Sequence, residues 1–229
     1  MMKIQAYNRS DLLSILSDID VHVPLRSEGR STKHCEIWSI CNWLTTVSNL
    51  IYPITLIHGD KPDFHLISGD KDIGIEHTEA ITQEYAHACV LHEKADDDSI
   101  LDMSLFPIGE KKNKHEIREL ISLKKLTGPG WEGDVPEEEW ASDLYKRIEG
   151  KTLKLRNDDF EKHEKNYLLI YENLPLPYLD YTKACKLLEL KLKVYWESGV
   201  VFTTVYIQTD YLLMSFNSLC FSICKNNRI

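Results

Sequence analysis

"KPDFHLISGDKDIGIEHTEA", residues 61–80, sets two carboxylates, Asp63 and Glu76, on either side of a Gly69-Asp70 turn, each beside a run of strand-forming residues. If Gly69 takes the φ > 0 position of a type II′ hairpin turn, Ser68 faces Lys71. Opposed residues then have numbers with a constant sum, so Ile67 faces Asp72, Leu66 faces Ile73, Phe64 faces Ile75 and Asp63 faces Glu76. Opposed Cβ atoms lie roughly 4.5–5.5 Å apart, and like charges facing each other destabilise a sheet. An acid pair in this position either points to water or is compensated, and a divalent cation with oxygen ligands is the obvious compensation. Geometry alone leaves both readings standing.

The chain has 229 residues, 43% hydrophobic and 28% charged, enough for one sizeable core carrying an insertion. The opening "MMKIQAYNRSDLL" lacks an apolar signal-peptide region, and no run approaches the length of a membrane span, so a soluble, cytoplasmic protein is expected. Six cysteines stand without a paired spacing and are expected to be reduced and buried; Cys220 and Cys224 have the spacing of one helical face. Net charge is −9, which excludes nucleic-acid binding through a global positive field. The local basic exceptions are residues 109–125 and the run Lys146, Arg147, Lys151, Lys154 and Arg156, while Asp96 to Asp98 and Glu137 to Glu139 concentrate acid. Nucleotide-cradling GxxxxGK[ST] and GxGxxG loops and the GxSxG nucleophile elbow are absent.

Hydrophobic spacing predicts the order of elements. Ile37, Ile40, Cys41, Leu44, Val47 and Leu50 recur at helical spacing, so residues 33–51 read as a helix closed by Pro53. Strands are expected at 54–58, 62–67 and 72–79, followed by a helix at 81–95. Residues 96–150 read as an insertion, because "TGPGWEGDVP" is too irregular for a core element, although Pro136 and its glutamates mark a helix start near its end. "NYLLIYENLPLP" reads as a buried strand and loop, residues 180–196 as an amphipathic helix, and "VVFTTVYIQTD" with "YLLMSF" as a closing pair of strands. The expectation is a single domain over 1–229, α/β or α+β with a mixed sheet, its insertion covering one edge.

An αβββαβ core with Pro62-Asp63 at the start of the second strand and Glu76-His77-Thr78 in the third resembles the PD-(D/E)XK nuclease superfamily, the restriction-endonuclease-like fold. The resemblance covers residues 33–96 and, more loosely, 167–196. It implies metal-dependent hydrolysis of phosphodiester bonds, in DNA, with Asp63, Glu76 and the backbone carbonyl of His77 holding Mg²⁺ or Mn²⁺. It further implies a metal-proximal role for Glu36 in the first helix, and a helix-borne glutamine at the cleft, for which Gln83 is the candidate. The side chain of His77 is expected on the opposite strand face, as a hydrogen-bonded core histidine, with Glu79 as a sheet-end charge on that same face.

One position departs from the family pattern: the lysine two residues after the glutamate is Thr78 here. By the hairpin register Lys61 lies opposite Thr78 and on the strand face of Asp63, so Lys61 is the expected substitute cation. Loss of the lysine also opens an alternative, a catalytically inactive nuclease-fold module that binds nucleic acid or protein. Nucleic acid is the partner expected of the first reading, a protein partner or a second copy of the chain of the second; neither calls for a membrane.

Overall fold

The Gly69-Asp70 turn forms as its residue types demand. In the computed structural model, which describes residues 2–95 and 99–227, Gly69 takes φ +63° and the hairpin pairs Ser68 with Lys71, Ile67 with Asp72, Leu66 with Ile73 and Phe64 with Ile75. The acidic triplet at 96–98 lies outside the described residues.

The elements in chain order are β1 (Lys3–Ala6), α1 (Arg9–Ser17), α2 (Thr32–Thr46), β2 (Ile54–His58), β3 (Phe64–Ser68), β4 (Lys71–Ala80), α3 (Gln83–Lys94), α4 (Lys114–Ser122), α5 (Val135–Leu155), β5 (Lys165–Glu172), α6 (Tyr181–Trp196), β6 (Thr204–Gln208), β7 (Leu212–Phe216) and β8 (Phe221–Lys225). Among the described residues the eight strands form one mixed sheet in sequential order, which makes the chain an α/β protein. The pairs β1 to β4 and β6 to β8 are antiparallel, whereas β4–β5 and β5–β6 are parallel. Parallel neighbours need a crossover. Helices α3 to α5 supply the first and α6 the second.

The two sheet faces are covered in different halves. On one face Ile4, Leu56, Phe64, Leu66, Ile73 and Ile75 pack with Leu12, Leu16, Ile40 and Leu44 from α1 and α2. On the other, Leu168, Ile170, Val205 and Ile207 pack with Trp140, Leu144 and Ile148 of α5 and Leu188 and Leu192 of α6. The segment read as an insertion therefore divides. Helix α4 and the loops around it form a satellite cluster around Phe106, Ile117 and Leu126, but α5 is a full layer of the main core rather than an edge cover. Its apolar stripe at three- and four-residue spacing outweighs the irregular loop that precedes it.

Helix α2 stops at Thr46, short of the expected end, because Arg9 of α1 takes its C-terminal carbonyls: the guanidinium donates to Leu44 O at 2.6 Å, to Val47 O at 3.2 Å and to Thr45 O. Cys35, Cys41 and Cys185 are buried free thiols as expected, but Cys220 and Cys224 are exposed, and Cys224 lies in strand β8 rather than on a helix. Among the described residues no helix is long and apolar enough to cross a membrane.

Candidate active site

The sheet forks at Asp63. The β3–β4 ladder ends at Phe64 opposite Ile75, since Pro62 has no N–H to extend it. Asp63 turns its carbonyl to Gly59, whose N–H donates at 2.7 Å, and its carboxylate Oδ2 accepts the backbone N–H of His77 at 2.6 Å. A side-chain oxygen thus takes the place of the missing strand carbonyl. On its other side β4 keeps its partner: Glu76 pairs with Leu168 and His77 with Leu169 of β5. The expected cross-strand pair of acids does not form, because the ladder ends one residue short of it, but Asp63 stays near enough for the Glu76 charge to act on it.

Helices from both faces reach this fork. Glu36 of α2 is held by His58, with Nε2 and Oε2 2.9 Å apart, and the His58 ring stacks on Phe64 at 4.9 Å. Lys151 of α5 donates from Nζ to Glu76 Oε1 and to the carbonyl of His77, each at 2.7 Å. Glu36, Asp63, His77, Thr78, Glu79 and Lys151 line one cleft of about 180 Å³, along with Thr32 and Cys35.

Burial and the neighbouring Glu76 charge push the Asp63 carboxyl up to about 7, against the pull of the His77 N–H. The fork carries more negative charge than its one lysine balances. Glu76 Oε2 is moreover buried without a hydrogen-bond partner among the described residues, a costly arrangement for a carboxylate oxygen. An orphaned carboxylate oxygen, a second carboxylate destabilised by its neighbour and a backbone carbonyl are all hard oxygen donors, so the residues fit a cation such as Mg²⁺ or Mn²⁺. The His77 imidazole is 3.0 Å from the hydroxyl of Ser39, and burial first, then Lys151, lowers its pKa to about 3. It is a neutral core histidine, as read from strand alternation.

Two of the expected residues are elsewhere. Lys61 points out of the cleft to Asp159, 2.7 Å away and with both side chains more than half exposed, because the chain leaves the ladder before Lys61 can pair with Thr78. Gln83 begins α3, is exposed and does not line the cleft. Glu79 is tied to Arg26 at 2.5 Å and Arg30 at 3.4 Å, and also accepts from Asn173 at 2.7 Å. Of the basic run on α5, Arg147 binds Asp143 and the carbonyls of Glu79 and Ile81, and Arg156 binds the carbonyls of Ser198 and Val200. These charges are used inside the fold.

Sequence reasoning placed Lys151 in a basic run but not in the site. The signal was available: Trp140, Leu144, Ile148 and Leu155 form the buried stripe of α5, and Lys151 occupies the stripe position between Ile148 and Leu155. A lysine at a core position needs an acidic partner. Comparison with family models, curated proteins and solved structures found no significant match to this chain.

Proposed function

We propose that this chain has a restriction-endonuclease-like core and is a metal-dependent nuclease that hydrolyses phosphodiester bonds in DNA. The observation that carries the reading is the convergence of Asp63, Glu76, the His77 carbonyl and Lys151 at one fork between neighbouring strands. The order of elements from α2 to α3, resumed by β5 and α6, supports it.

Asp63, Glu76 and the His77 carbonyl would hold Mg²⁺ or Mn²⁺, which when bound supplies Lewis-acid polarisation of a phosphoryl oxygen and activation of water. Lys151 replaces the family lysine from a different element. Its ammonium, fixed by Glu76 and the His77 carbonyl, is placed to orient an attacking water and to offset charge developing on the phosphate. Thr78 lines the cleft as a neutral hydroxyl. Glu36, oriented by His58, accepts a proton or a hydrogen bond from water at the cleft rim.

A second reading, an inactive nuclease-fold module, draws support from the net charge of −9, which disfavours long-range attraction of a polyanion. The deciding experiment is a cleavage assay on single- and double-stranded DNA and on RNA, with Mg²⁺ or Mn²⁺, comparing wild type with Asp63→Asn and Lys151→Met. Metal-dependent cleavage lost in both variants supports the nuclease. Cleavage unchanged in Asp63→Asn identifies a contaminant, and absence of cleavage by the wild type despite cation binding leaves the binding module.

A further inference from the structure

A second cluster lies on the same hairpin, nearer its turn. His65 of β3 and Asp72 of β4 are diagonal neighbours on one sheet face, with Nε2 2.5 Å from Oδ1. His163, in the connection from α5 to β5, brings Nδ1 to 3.0 Å from the other carboxylate oxygen of Asp72. The two imidazoles stack at 4.5 Å with 29° between their planes. Among the described residues this is the one group of three His, Cys, Asp or Glu whose ligand atoms all lie within 4.8 Å of one another.

The site is built rather than accidental. Gly74, the residue opposite His65, supplies the seat for His163: a Cβ there would come within 2.5 Å of the His163 ring. Asn166 fastens the His163 backbone from both sides, accepting its N–H at 3.2 Å and donating to its carbonyl at 3.0 Å. The His163 side chain is only 3% exposed, and among the described residues its Nε2 is buried without a partner and Asp72 is the polar contact of that ring. Burying an imidazole with one nitrogen unpaired is costlier than burying a leucine in the same volume. Asp72, at 48% exposure, leaves the outer side open.

We propose that His65, Asp72 and His163 form a binding site for a divalent cation of the zinc class. Two imidazole nitrogens with one carboxylate oxygen form a borderline donor set that selects zinc or cobalt over magnesium, and the solvent side leaves a position for water. Ligand atoms about a tetrahedral zinc lie roughly 3.3 Å apart, given bonds of about 2.0–2.1 Å. The two His–Asp separations, 2.5 and 3.0 Å, would widen by about 0.8 and 0.3 Å as the cation replaces the shared protons. A bound cation would clamp the hairpin to the connection that follows α5, joining the element that carries Glu76 to the one that carries Lys151. The proposal stands independently of the nuclease reading.

The test uses the full chain and zinc itself. After incubation with zinc chloride and exhaustive dialysis, elemental analysis should find one zinc per chain, and thermal melts should rise with zinc concentration by mass action. Cobalt should give a visible absorption band that zinc abolishes. Asp72→Asn and His65→Gln, both at half-exposed positions, should weaken binding on the order of 100-fold, and His163→Gln should do the same if it folds. Binding should persist in Glu76→Gln, which disables the cleft. Zinc that is absent from the wild type, or that is lost in Glu76→Gln yet retained in Asp72→Asn and His65→Gln, overturns the proposal.

Discussion

Lys151 Nζ lies 2.7 Å from Glu76 Oε1 although 75 residues separate them in the chain. The contact joins a core helix to the strand that carries the acidic pair, and it puts a cation where the strand itself offers Thr78. On the proposed nuclease reading, cleavage and stability without metal should both depend on this pairing.

Lys151→Met should lower cleavage by about 100-fold or more, the cost of removing one charge-stabilising donor. Cation binding should hold or tighten, since the ammonium competes for Glu76. Stability without metal should fall by roughly 3 kcal/mol, because Glu76 is left buried and unpaired. Adding Thr78→Lys to Lys151→Met should restore part of the rate, as both positions line the same cleft. Rates and urea unfolding of the single and double variants check this; a Lys151→Met variant that cleaves at the wild-type rate removes the lysine from the proposed mechanism.

Lys61→Ala should be nearly silent. Its ion pair with Asp159 is solvent-exposed, and exposed pairs contribute little to stability. Gln83→Ala should behave alike, since Gln83 is exposed outside the cleft. Steady-state cleavage rates settle both.

His58→Ala should act on rate through Glu36. The imidazole fixes the Glu36 carboxylate and stacks on Phe64, so its loss should leave cation binding by Asp63 and Glu76 intact while cleavage drops about 10-fold. Glu36→Gln should match it, and the double variant should cost little more than either single change, because the two act as one unit. Additive losses would separate their roles.

The pH dependence of stability should show Glu172. Burial pushes its carboxyl up to about 7, while the Leu174 N–H at 2.7 Å and the Tyr181 hydroxyl at 3.0 Å pull it down. Its folded pKa is above the unfolded value, so the folded state holds the proton longer and stability falls as pH rises from about 4.5 to about 7, then levels off. Glu172→Gln, which keeps an acceptor oxygen, should lose less stability between pH 5 and pH 8, the difference from wild type being on the order of 2–3 kcal/mol. Asp63 titrates in both proteins and cancels. Urea unfolding at pH 5, 6, 7 and 8 measures it; parallel pH profiles would contradict the buried-acid account.

The hairpin was legible because its information is local. Gly69 alone can take the turn's φ at no steric cost, and side-chain alternation then sets the register of every pair to Phe64–Ile75. Strand β2 matched its apolar run residue for residue, and α6 began within a residue of its expected start. The short edge strands β1 and β8 were not legible. The alternation in "KIQA" and "FSICK" runs for only four or five residues, too short to stand out in the sequence, and β2 and β7 offer them the edges on which they pair.

The sequence by itself determined the hairpin and its register as far as Phe64 and Ile75, the helix that carries Glu36, the inward face of His77 and the α/β class, all set by turn stereochemistry and by hydrophobic period within about twenty residues. Tertiary structure alone decided which cation joins the acids. That choice depends on a crossover of parallel strands that lays the buried stripe of α5, Lys151 included, against β4, while the end of the β3–β4 ladder at Pro62 releases Lys61 to Asp159. It also decided that His163 meets His65 and Asp72, across 91 residues from Asp72. Local rules fix which side of an element a residue faces; which element arrives opposite is set by burial summed over the whole core, and no spacing in the chain encodes it.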